Sequence, residues 1–168
     1  NAEGNDPINT LMSFDSDGFT SGNTNGMNQS THDYVAWCWK AGGPAIANND
    51  GTITSQVSAN QDAGFSIVSY SGDNTDANKT VGHGLNKTPK FIIVKPRTEA
   101  RHWLIWHNSF DDYDDAMLFN TGAPAGLRFG PNAPTSDVFG VYGGQGNRGT
   151  TDFIAYCWAE IDGYSKFG

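Results

Sequence analysis

Asp33-Tyr34-Val35-Ala36-Trp37-Cys38-Trp39 returns later in the chain as Asp152-Phe153-Ile154-Ala155-Tyr156-Cys157-Trp158. Four of the seven positions are identical, and the other three exchange one aromatic or β-branched residue for another. Such residues suit a pleated, half-buried surface. Side chains alternate between the two faces of a strand. One face of the first ribbon would then carry Tyr34, Ala36, Cys38 and Lys40, and the other Val35, Trp37 and Trp39. In the second ribbon Phe153, Ala155, Cys157 and Ala159 share a face, opposite Ile154, Tyr156, Trp158 and Glu160. Small Ala and Cys side chains predict close packing on the first face. The aromatic face either fills a core or forms a platform, because Trp and Tyr favour sites where a polar edge finds a partner. Both stretches, residues 34–40 and 152–160, are expected to be strands.

The similarity extends upstream. Ser16-Asp17-Gly18-Phe19 returns as Ser136-Asp137-Val138-Phe139, so the two matched blocks lie 120 and 119 residues apart. Two blocks at nearly one offset indicate an internal repeat of about 120 residues. A longer array, sampled a little more than once, is one reading. The other is a single sandwich with similar strands at pseudo-symmetric positions. On the first reading, residues 1–50 hold strands matching the end of a repeat unit and residues 51–168 form the main β-sandwich unit. Further strands are expected over residues 10–14, 51–57, 65–70, 91–95, 102–107, 116–119 and 138–142, with Gly, Pro, Asn or Asp between most of them. Pro89 and Pro96 bracket Phe91-Ile92-Ile93-Val94-Lys95, which is apolar on both faces and predicts a central strand covered on both sides. No stretch reads as a stable helix.

A chain of 168 residues can bury a core without staples. Apolar residues make up 37% and aromatics 12%, so that core must lean on Phe, Trp and Tyr. With 21 glycines and many Asn, Asp, Ser and Thr, turns are favoured over helix interiors. The fold class is therefore all-β, an antiparallel β-sandwich of jelly-roll or lectin-like type. The net charge of −8, with only 10 Lys and Arg, argues against nucleic acid, which needs phosphate neutralised. No apolar run approaches the roughly 20 residues of a spanning helix, so membrane insertion is not expected.

Few constellations carry chemistry. Asp111, Asp112, Asp114 and Asp115 form the densest charge, and a calcium ion is the cofactor they would take, because hard cations want several oxygen ligands. The cluster lacks the Gly and terminal Glu of an EF-hand loop, and a solvated loop is the alternative. Asp15-Ser16-Asp17-Gly18 reads as a turn or as a second calcium fragment. His83, in Gly82-His83-Gly84, reads as a turn residue bonded to backbone. No Gly-x-Ser-x-Gly elbow is present. Cys38 and Cys157 are expected in buried strands, inert as thiolates, and a bridge between them is a second option. The chain is read as not an enzyme. Glycan binding fits better, since sugar rings stack their C–H faces on aromatic rings. Trp103 and Trp106 fall on opposite faces of one strand, so at most one is a platform residue. Trp103, with Arg97 and Arg101 before it, is the first candidate contact.

Ser13 to Thr20, Tyr34 to Gly43, Gly51 to Asn60, Ala63 to Tyr70, Val81-Gly82-His83-Gly84-Leu85 and Thr88 to Lys95 together make the chain similar to an uncharacterised β-rich domain. That domain is repeated in structural and tail proteins of marine phages, cyanophages among them. The resemblance covers nearly the whole chain. It implies a lectin-like sandwich, a virion-surface or extracellular location, and tandem copies, and it supplies no catalytic residues. The function expected is a non-enzymatic structural or attachment domain of a phage tail fibre or capsid exterior, with host surface polysaccharide as a ligand. The alternatives are a carbohydrate-binding module of a polysaccharide-degrading protein, and a spacer or extracellular filament subunit. Expected partners are neighbouring copies, as a homo-oligomer or tandem array, or other virion proteins.

Overall fold

The computed structural model describes residues 10–22, 26–75, 78–119, 124–125, 129–149 and 151–168. The described strands are β1 (Leu11–Phe14), β2 (Phe19–Ser21), β3 (Ile46–Asn48), β4 (Ser55–Asn60), β5 (Phe65–Ser71), β6 (Lys79–Gly82), β7 (Pro89–Pro96), β8 (Leu104–His107), β9 (Ala116–Leu118), β10 (Pro124–Ala125), β11 (Val138–Val141) and β12 (Asp152–Ala159). One helical turn, α1 (Gly143–Gly146), precedes β12. Contacts group the chain into two units, Asn1–Cys38 and Trp39–Gly168. In the first unit β1 and β2 form an antiparallel hairpin. The Asp15 carboxylate accepts hydroxyl bonds from Ser13 and Thr20, at 2.8 Å each, so the 15–18 segment works as a turn.

The second unit holds an eight-stranded antiparallel sheet, ordered β10-β9-β8-β7-β12-β5-β4-β3. β12, last in sequence, lies in its middle: Cys157 faces Ser66 of β5 on one side and Ile92 of β7 on the other. Remove β12 and the sheet becomes two pieces, each with an open edge. Alternation does the rest. Phe153, Ala155 and Cys157 are sealed from solvent, together with Val68 on β5 and Ile92 and Val94 on β7. The two-stranded sheet β11–β6 covers this face, contributing Val81, Phe139 and Val141 to the same apolar cluster. Tyr70 stacks on Phe153 at 5.0 Å and meets Phe139 edge-on at 6.3 Å. Its buried hydroxyl donates to Gly146 O at 2.8 Å. Burial of three such rings anchors the core, each worth roughly 2–3 kcal/mol.

The protein is thus an all-β antiparallel sandwich. In the second unit the described strands form one sheet of eight and one of two. Other expectations are corrected. Residues 34–40 are not a strand, and every residue from 31 to 40 is exposed, because no strand edge pairs with them. The boundary between units falls at Cys38/Trp39, before residue 50, since β3 already pairs with β4. β7 is central, but only one of its faces is sealed: Ile92 and Val94 are buried, Phe91 and Ile93 half-buried. Cys38 is exposed and Cys157 buried, and both are free thiols, so there is no bridge.

Candidate ligand-binding face

The sheet face turned away from the core is apolar yet only partly covered. On it Trp158 lies opposite Phe65 and Phe91, and Tyr156 opposite Ile67 and Ile93. At one end the rings close on one another. Trp158 stands 5.1 Å from Phe65 and 5.3 Å from Phe91, while Trp39 meets it edge-on at 5.4 Å. Phe167 stacks over Phe91 at 6.2 Å. That end is occupied by the protein's own side chains.

The other end is less covered: Arg97 and Phe119 are exposed and Trp103 and Tyr156 half-buried, with Lys95 and Ile105 buried among them. Register puts Lys95 opposite Ile154, and its Nζ lies 5.9 Å from the Trp103 ring centroid while donating to Pro96 O at 3.0 Å. A cation over an indole is held by the ring quadrupole. Trp103 is half-buried and meets exposed Phe119 edge-on at 6.5 Å. The position of Phe119 follows from the ladder, because its N–H bonds Trp103 O at 3.2 Å. Arg97 is exposed. Burial raises the Tyr156 phenol pKa, and the nearby Arg97 cation partly offsets that rise. Trp103 and Arg97 therefore share one side of the sheet with Lys95, Tyr156 and Phe119. Trp106 points the other way, into the core.

Arg101 is diverted. Its Nε bonds Glu99 Oε2 at 2.6 Å, and Glu99 Oε1 accepts from Thr151 at 3.1 Å and from Arg148 at 3.2 Å. The Arg101 bond, with Thr151 and Arg148 behind it, holds the Glu99 carboxyl below the usual range although burial opposes this. Arg101 thus braces the 97–101 loop against the entry to β12. A second knot lies nearby. Asn147 Nδ2 donates to Asp73 Oδ1 at 2.7 Å and to Thr75 O at 3.1 Å, and Asp73 N–H bonds Asn147 Oδ1 at 3.1 Å. Burial pushes the Asp73 carboxyl up, but bonds from Thr75, Asn147 and Lys79 outweigh it and hold the pKa well below normal.

Asp111, Asp112, Asp114 and Asp115 lie in the turn between β8 and β9, the first two exposed and the last two half-buried. Among the described residues no group of three or more His, Cys, Asp or Glu converges so as to hold a metal ion, so these four carboxylates do not assemble a calcium cage. His83 is buried and bonded to backbone through both ring nitrogens, as its turn position suggested. A shallow cleft of about 550 Å³ runs between residues 40–43 and 59–62. Lys95, Tyr156 and Phe119 were not singled out from sequence. The signal was present: Tyr156 and Lys95 sit at the same parity as the aromatic face of their strands.

A family profile described as "Domain of unknown function (DUF7483)" matches residues 1–168. No curated protein and no solved structure matches the chain.

Proposed function

Since the chain belongs to the DUF7483 family, whose function is undefined, we propose its role from its own residues: a non-enzymatic structural and attachment domain of a virion exterior, in a tail fibre or capsid decoration, that contacts host surface polysaccharide. The observation that carries this reading is the partly exposed end of the second sheet face. There Trp103, Phe119 and Tyr156 offer ring surface, and Arg97 offers donors to hydroxyls or carboxylates. Tyr156 lies within β12, and Trp103 and Phe119, just beyond the ends of β8 and β9, are tied by a backbone bond, which limits the entropy they would lose on binding. The resemblance to repeated phage tail domains supports the virion location. A carbohydrate-binding module of a polysaccharide-degrading protein would use the same face and differ only in what it is joined to.

Affinity electrophoresis through gels holding neutral or anionic polysaccharides tests the reading. Retardation by one class is expected. It should be lost in Trp103→Ala and weakened in Arg97→Ala, with thermal unfolding of both within a few degrees of the parent. Free migration through every gel, or full retardation of a folded Trp103→Ala protein, would overturn the attachment role and favour a plain spacer.

A further inference from the structure

Among the described residues, nine of the large exposed apolar side chains stand before residue 47 and four after it. Phe14 is 83% exposed, Trp37 76% and Val35 75%. Apolar surface that dense normally marks a contact. What it contacts is written in the sequence. Tyr34, Ala36 and Cys38 stand where Phe153, Ala155 and Cys157 stand in β12, and those three are fully buried. Phe19 stands where Phe139 stands in β11, likewise fully buried. The correspondence reaches polar positions too. Asn28 takes the place of Asn147, the knot that binds Asp73 and Thr75. Asp33 takes the place of Asp152, whose carboxylate accepts the Ser71 hydroxyl at 2.7 Å. Core face, loop knot and strand end are copied, and of the cover strand Phe139 is copied in Phe19, whereas Gly140 and Val141 are matched by Thr20 and Ser21. Each copied side chain has its counterpart in β11, in β12 or at Asn147 between them, next to β5, β6 or the 73–75 loop.

We propose that residues 16–22 and 26–38 are donated segments, which complete the sheet of a neighbouring unit of this same fold by taking the places that β11 and β12 hold here. Strand addition of this kind draws affinity from main-chain bonds and specificity from alternate side-chain pockets. In the present chain those places are filled by β11 and β12 themselves. The occupant is therefore a unit without its own last two strands, as in a tandem array where each unit is closed by the segment that follows it. The proposal is independent of the virion reading; it states how units join, whatever particle they build.

Thiol labelling under native conditions tests it. In the 168-residue chain Cys38 should react fast and Cys157 slowly, as their exposure dictates. In an extended chain, residues 42–135 are repeated ahead of Ser16 so that 16–41 can close the added unit. Cys38 should then react about a hundredfold more slowly, as for a site reached only by local opening. Ala36→Asp in the extended chain should restore fast labelling of Cys38 and leave Cys157 slow. Fast Cys38 in the extended chain while Cys157 stays protected overturns the proposal. So does slow Cys38 that ignores Ala36→Asp. Slow Cys38 in the 168-residue chain itself, together with dimers at high concentration, would also overturn it and assign the ribbon to a second copy that displaces β12.

Discussion

His83 spends both ring nitrogens on backbone: Nδ1 accepts the Leu85 N–H at 3.2 Å, and Nε2–H, protonated in that tautomer, donates to Thr135 O at 3.3 Å. A second proton would break the Leu85 bond and place a cation in the core. Burial accordingly lowers the His83 pKa to about 4, although the Thr135 bond and the charges of Asp137 and Asp50 pull the other way. The unfolded chain binds the proton first as pH falls from 6.5, so stability holds above that pH and declines down to about 4. The shift corresponds to roughly 3 kcal/mol. Urea unfolding at pH 7 and pH 4.5 should show the midpoint falling in the parent and falling much less in His83→Gln. Equal slopes in the two proteins would remove His83 as the cause. Gly64 is a second residue with no substitute. It has a φ of 63°, and a Cβ there would stand 2.5 Å from Ala159 O. Its own carbonyl takes the Ala159 N–H at 2.8 Å, tying the β4–β5 turn to the end of β12. Gly64→Ala should cost about 1–3 kcal/mol through strain and displacement, read as a lower urea midpoint at unchanged m.

At the scale of the element, β12 and the 33–39 ribbon present nearly the same side chains in opposite circumstances. Ala155 is sealed between neighbours on β5 and β7, so Ala155→Leu should overpack the core and cost about 1–3 kcal/mol or more. Ala36→Leu in the same chain should stay within about 0.5 kcal/mol, as exposed substitutions do. Comparable losses in both would mean that the ribbon is buried in solution. This pair also marks what sequence could and could not disclose. Apolar runs set between Gly, Pro, Asn and Asp located β5, β7, β8, β9, β11 and β12 to within a few residues, because each contributes to the core that those runs must fill. Alternation at 34–40 reported strand propensity and was silent on whether an edge was there to pair with. β2, β3, β6 and β10 escaped notice. At the candidate face, sequence picked out Arg97 and Trp103, but the cation over the Trp103 ring is Lys95. The capture of Arg101 by Glu99 was not, since Thr151 and Arg148, which complete that knot, lie far along the chain.

For the whole molecule, the position of β12 sets the order in which the sheet can form. β4 pairs with β5, and β7 with β8, across short turns, so those ladders close small loops. β12 must find β5 and β7 together, and its pairings, Cys157 with Ser66 and with Ile92, span most of the unit. Loop closure has to precede the reward of such contacts, which makes them late and the fold slow, in the millisecond-to-second range typical of non-local β topologies. Until β12 docks, β5 and β7 present bare edges, and another β12-like strand could enter between them. Folding kinetics should therefore separate the two classes of substitution. Leu104→Ala on β8 removes a buried side chain from an early ladder and should slow folding. Cys157→Ala removes one from the closing strand and should chiefly speed unfolding, leaving the refolding limb of the chevron close to the parent's. If Cys157→Ala slowed refolding in full proportion to its destabilisation, β12 would belong to the nucleus. The sheet of this chain would then never stand open between β5 and β7, and only a unit lacking its own β11 and β12 would leave a gap for a neighbour's strand.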